Sequence, residues 1–145
     1  MNQAKQKAQA LAECYHTAEP SELCEILGIT VLRQELPRCV NGFTVRMNDL
    51  PFIVLNRDLD FYESRFTMAH ELGHVVLHKG TNSLNLSLNT DFCVNRYERE
   101  ADSFAAWLLM QAEMAELEAM ESVTAEDVSK IAHIPLSVAD SAFLC

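Results

Sequence analysis

Residues 66–78 read Phe66-Thr67-Met68-Ala69-His70-Glu71-Leu72-Gly73-His74-Val75-Val76-Leu77-His78. Within them His70-Glu71-Leu72-Gly73-His74 forms an H-E-x-x-H pattern. On an α-helix, residues four apart share a face, so the two histidines can hold one metal ion between them. Glu71 is rotated by about 100° from His70 and reaches a water beside such an ion without binding it. Two histidines, a ligand from elsewhere and a glutamate base make up the zinc hydrolase arrangement. The pattern carries weight only on a helix with an apolar back. Phe66, Ala69, Leu72, Val76 and Val75 provide one at spacings of three and four. Asp60 with Glu63 predicts a capping box at the start, and Gly80 a stop, with His78 and Lys79 in the last turn. Gly73 costs such a helix about 1 kcal/mol against alanine and leaves room for another backbone or a substrate. The plain alternative is a helix with two incidental histidines on its wet face.

A catalytic zinc needs a third protein ligand. His78 is one more step of four along, but about 6 Å further up the axis, so one straight helix cannot wrap all three histidines around an ion. It reads as a structural histidine. Residues 97–110, Tyr97-Glu98-Arg99-Glu100-Ala101-Asp102-Ser103-Phe104-Ala105-Ala106-Trp107-Leu108-Leu109-Met110, hold the better candidates. Ala101, Phe104, Ala105, Leu108 and Leu109 form a helical apolar stripe. Glu98 and Asp102 share a face. Glu98 can bind the metal, and Asp102 can accept a hydrogen bond from the outer nitrogen of a ligand histidine. Glu100 is the rival third ligand, and a solvated acidic face is the plain alternative for all three.

These two stretches, with Ile53-Val54-Leu55-Asn56 before them, resemble the ImmA/IrrE family of metallopeptidases from about Ser21 to the C-terminus. The resemblance implies a small gluzincin-like, mixed α+β zincin core. It implies zinc ligands at His70, His74 and Glu98, Glu71 as base, and Asp102 behind a ligand histidine. It also implies, as protein partner, a DNA-binding repressor or antitoxin of the Xre helix-turn-helix type, of the kind encoded by phages and mobile elements. Gln111 departs from the family, which usually has proline there, and this leaves the end of the helix open.

Length and composition agree with a folded domain. The chain has 145 residues, of which 49% are hydrophobic, enough for one domain with a real core over 1–145. No run of 18 apolar residues exists, so no membrane span is expected, and the N-terminus lacks the apolar core of a signal peptide. Five cysteines without paired spacing read as reduced thiols of a cytoplasmic protein, Cys93 among them as a buried inert thiol. A net charge of −10 with scattered basic residues argues against direct nucleic-acid binding and suits docking on a basic partner.

Taken in order, residues 2–16 are expected as a helix with Ala4, Ala8, Leu11, Ala12 and Tyr15 on one side. Ser21 can cap a short helix closed by Gly28. Strands are expected at Ile29–Leu36, Phe43–Met47 and Phe52–Leu55, with a turn at Asn48-Asp49-Leu50-Pro51. The fold class is α+β and zincin-like. A small, mostly antiparallel sheet of about three strands packs under the two motif helices, with the H-E-x-x-H helix central. Residues 80–92 read as a loop, or as an edge strand through Leu84, Leu86 and Leu88, able to pair with an extended substrate. Capping patterns at Thr124 and Ser137 give residues 121–145 as a helical hairpin packed on the core. A helix-turn-helix there is disfavoured, since only Lys130 is basic.

Zinc-dependent peptide-bond hydrolysis is the first functional expectation. Tyr62, Tyr97 and Arg96 are candidate oxyanion donors. A metal-stabilised binding module that only sequesters a regulator is the alternative, as is a toxin component.

Overall fold

The computed structural model describes residues 2–78 and 92–144, with side chains over 96–143 in the second part. It begins with α1 (Gln3–Tyr15), capped by Asn2, whose Oδ1 accepts from the Lys5 amide. Ala4, Ala8 and Leu11 are buried as the periodicity predicts, whereas Tyr15 is exposed in the last turn, before the left-handed cap His16. α2 (Pro20–Ile26) starts one step earlier than a Ser21 cap requires. Glu19 is its N-cap and Pro20 its first residue, since proline has the right φ and lacks only an N–H that would be unpaired there. Gly28, at φ +74°, closes the turn.

Three strands follow: β1 (Thr30–Gln34), β2 (Gly42–Met47) and β3 (Leu50–Asn56). Asn48 and Asp49 both have positive φ, the two-residue turn that matches strand twist, so β2 and β3 form the expected antiparallel hairpin. β1 instead joins the far side of β3 in parallel, Thr30 opposite Phe52 through Gln34 opposite Asn56. The sheet is therefore mixed, in the order β1-β3-β2. Its middle strand buries Ile53, Val54 and Leu55 in succession, as a strand covered on both faces does. Asn56 ends it and fastens the loop from β1, donating from Nδ2 to the carbonyls of Leu36, Pro37 and Val40.

The chain then enters α3 (Phe61–Leu77) through a complete capping box: the Asp60 side chain accepts from the Glu63 amide and the Glu63 side chain from the Asp60 amide. Ala69 and Leu72 are fully buried, and Phe66, Val75 and Val76 pack partly buried against the core. The sheet rests mainly against α3, with α2 touching its β1 edge. The second motif helix, α4 (Phe92–Ala112), packs on the other side of α3, so the H-E-x-x-H helix is the middle layer. Every residue of the stripe from Ala101 to Leu109 is buried. α4 runs through Gln111 and stops at Ala112, where Glu113 leaves helical geometry and a short α5 (Met114–Glu118) begins.

α6 (Ala125–Ala132) carries the predicted capping box of Thr124 and Asp127. α7 (Leu136–Leu144) starts before Ser137, which lies in its first turn rather than capping it. Val128, Ala132, Ile134, Val138, Ala139 and Ala142 join the same buried cluster as Leu72 and Phe104. The expected edge strand through Leu84, Leu86 and Leu88, the Gly80 stop and the Cys93 side chain lie outside the described residues. Among those that are described, no helix is long and apolar enough to cross a membrane.

Candidate metal centre

At Gly73 the two motif helices approach closely. A Cβ there would lie 3.1 Å from Phe104 Cδ1 and 3.3 Å from the Ala101 Cα. Ala101 is fully buried at this contact. Glu98, one turn earlier on α4, and Asp102, one residue later, are thereby carried to the face of α3 that bears His70 and His74. The close approach that the glycine predicted is to a helix backbone.

The imidazoles of His70 and His74 stand nearly perpendicular, at 81°, with centroids 4.9 Å apart. Glu98 bridges them, Oε2 lying 3.0 Å from His70 Nε2 and Oε1 2.9 Å from His74 Nε2. Asp102 Oδ1 lies 2.8 Å from His70 Nδ1, on the outer side of that ring. Glu71 is almost wholly buried, with Oε2 3.9 Å from His70 Nε2. Donor atoms of His70, Glu71 and His74 fall within 4.8 Å of one another, and Glu98 is closer to the His70 Nε2 than Glu71 is. Glu100 takes a different place, with Oε1 3.4 Å from His78 Nε2. His78 is buried at the end of α3 and its Nδ1 lies 3.0 Å from the His74 Nδ1.

Electrostatics follow from these contacts. Burial disfavours a charged His70, but hydrogen bonds to Asp102 and Glu98 and the charge of Glu71 outweigh it and raise its pKa to about 10. Burial would raise the carboxyl of Glu98, yet its hydrogen bonds with His70 and His74 hold it far below the usual carboxylate range. Burial and the neighbouring His74 push His78 below its ordinary value, against the pull of Glu100.

This donor set fits a zinc ion. Ligand bonds of about 2.1 Å in a tetrahedron separate donor atoms by about 3.4 Å. The two Nε2-to-carboxylate distances, 3.0 and 2.9 Å, are within a few tenths of an ångström of that. Two imidazoles and one carboxylate also match the chemistry of catalytic zinc sites that keep a position open.

The rings and charge of the suggested oxyanion donors have these neighbours. Tyr62 stacks on His133 with ring centroids 3.6 Å apart, Tyr97 packs on His78 at 4.2 Å, and the Arg96 Nε lies 3.6 Å from Glu100. The contact between His74 and His78 is not among the expectations from sequence. Its signal was the second spacing of four, which served there only to exclude His78 as a ligand.

Residues 24–139 match the model of the IrrE N-terminal-like domain. The chain is 31% identical over 135 residues to "Uncharacterized immunity region protein 2" of Bacillus phage phi105, covering 93% of this chain and 85% of that protein. It is 27% identical over 140 residues to "Metallopeptidase ImmA" of Bacillus subtilis (strain 168), covering 94% of this chain and 81% of that one. A match across most of the chain, together with a His-Glu-His cluster able to hold a metal ion, shows that it belongs to the ImmA/IrrE family of metallopeptidase-like proteins.

Proposed function

We propose that the protein is a zinc-dependent endopeptidase that acts on a DNA-binding repressor or antitoxin of the Xre helix-turn-helix type. The observation that carries the reading is the meeting of His70, His74 and Glu98 at one point, with the buried carboxylate of Glu71 beside it. His70 Nε2, His74 Nε2 and the Glu98 carboxylate would hold the ion. When bound, it supplies Lewis acidity that polarises the scissile carbonyl and makes water a better nucleophile at neutral pH. Glu71 takes the proton of the attacking water on its carboxylate and returns it to the leaving amine. Asp102 holds the proton of His70 on Nδ1, so that Nε2 keeps its lone pair. A repressor as substrate is supported by the phage relative, named for an immunity region, and by the net charge of −10, which complements a basic DNA-binding partner. The same charge is unsuited to holding nucleic acid directly, and reduced thiols suit a cytoplasmic protein.

The test is incubation with a DNA-binding protein encoded beside it, with zinc or with a chelator, reading fragments by mass. Wild-type protein with zinc is expected to cut its partner. Chelator is expected to stop cleavage, and Glu71→Gln to stop it while still binding zinc. Cleavage that persists in Glu71→Gln would refute the assignment. Loss of cleavage with retained biological activity would instead establish a sequestering module.

A further inference from the structure

The two histidines of α3 are each met on the nitrogen facing away from Glu98, but by different groups. His70 Nδ1 meets a carboxylate directly, Asp102 at 2.8 Å. His74 Nδ1 meets another imidazole nitrogen, His78 Nδ1, at 3.0 Å. Two such nitrogens at this distance share one proton: one carries it and the other offers a lone pair. Beyond His78 stands Glu100, with Oε1 3.4 Å from His78 Nε2 and 3.6 Å from the Arg96 Nε. The contact is an ion-pair approach rather than an aligned hydrogen bond, and the negative charge of Glu100 favours a proton on the His78 Nε2 that faces it. A neutral His78 protonated there has its lone pair on Nδ1. The proton between the two rings then belongs to His74 Nδ1, which leaves the His74 Nε2 lone pair for the ion that would stand between it and Glu98.

We infer that His78 and Glu100 are positioning residues for His74, forming a relay in which Glu100 sets the tautomer of His78 and His78 sets that of His74. The inference rests on the metal reading proposed above. It gives the centre two unlike supports: Asp102 acts on His70 directly, and Glu100 acts on His74 through an intervening ring. His78 is buried and its ring lies against Tyr97, which fixes the plane in which Nδ1 is presented. The spacing of four that prevents His78 from joining His70 and His74 around one ion places it behind His74.

Two measurements on the full chain test this. The first is zinc affinity, by competition with a chelating indicator, for wild type, His78→Leu, His78→Gln and Glu100→Ala. Loss of an outer partner typically weakens metal binding by 10–100-fold, and about that loss is expected for His78→Leu. Glutamine can accept from His74 and donate to Glu100, so His78→Gln is expected to recover most of the affinity. Leucine and glutamine fill similar space, so a packing role would not separate them. Glu100→Ala is expected to weaken binding by about tenfold. The second is the long-range ¹H–¹⁵N spectrum of zinc-loaded wild type, expected to show His70 and His74 protonated on Nδ1 and His78 on Nε2. Equal affinities for the leucine and glutamine variants, or His78 protonated on Nδ1, would overturn the relay. If His78→Leu does not fold, Glu100→Ala and the wild-type spectrum decide. Wild-type protein that binds no zinc overturns the metal reading and the relay together; wild type that binds while Glu100→Ala binds equally well overturns the relay alone.

Discussion

Glu98 holds two imidazoles with one carboxylate, and its geometry depends on both oxygens being used. Replacing it removes a donor from the centre rather than a support behind one. Glu98→Ala is therefore expected to weaken zinc binding by more than the roughly 100-fold upper end for an outer partner. Isothermal titration of metal-free protein checks this, and an affinity near wild type would show that Glu98 is not a ligand. The histidines and Glu71 were legible in the sequence because a pattern within one helix obeys the helical period whatever surrounds it. Choosing between Glu98 and Glu100 was a different matter. Both lie on α4, and which one faces α3 depends on the rotation at which the helices pack. That rotation is set by Gly73 against Ala101 and Phe104, a contact between residues about thirty apart that no local period encodes.

Helices α3 and α4 meet through this small-residue contact, and its tightness yields a prediction. Gly73→Ala would improve helix propensity by about 1 kcal/mol. The added methyl would press on Phe104, which is fully buried, and on the Ala101 backbone, neither of which can step aside. Overpacking costs about 1–3 kcal/mol, so the net effect is destabilising by about 1 kcal/mol in urea unfolding. A stabilised variant would mean that the helices separate easily. Helix α6 offers a pH test. The backbone N–H and the hydroxyl of Thr124 both donate to Asp127 Oδ2 at 2.9 Å, holding that carboxyl below its ordinary range. A depressed folded pKa means the contribution is present above the unfolded value, near 3.9, and is lost as pH falls through the folded one. Protection of the α6 amides, taken relative to their intrinsic exchange rate at each pH, should fall on acidification through that window, and Asp127→Ala should show the lower protection already at neutral pH. Caps of this kind were readable from sequence because they are local. The direction of β1 was not, because it depends on where the chain goes between Glu35 and Asn41.

Across the whole molecule, Arg65 ties three segments together. Its guanidinium is buried on α3 and reaches Glu19 before α2 at 2.7 Å and Glu113 after α4 at 3.2 Å. The chain was expected to pack around α3, but this link joins residues nearly a hundred apart, and nothing in their spacing announces it. Removing one partner of a fully buried pair costs about 3–5 kcal/mol. Here Glu19 and Glu113 keep access to water, so screening reduces the effect to about 1–3 kcal/mol for Arg65→Ala. Thermal unfolding is expected to shift down by roughly 3–10 °C. A smaller shift than this would place the stability in the apolar layers alone.

The strand order β1-β3-β2 also has a consequence for synthesis. Chains emerge N-terminus first, and the strand that belongs in the centre is the last of the three to leave the ribosome. Until β3 begins to emerge at Leu50, β1 and β2 have no ladder to join among the described residues. Nascent chains halted before that point carry two bare strands. Those halted a few residues later can zip both flanks at once, immediately before the histidine-bearing helix arrives to cover them.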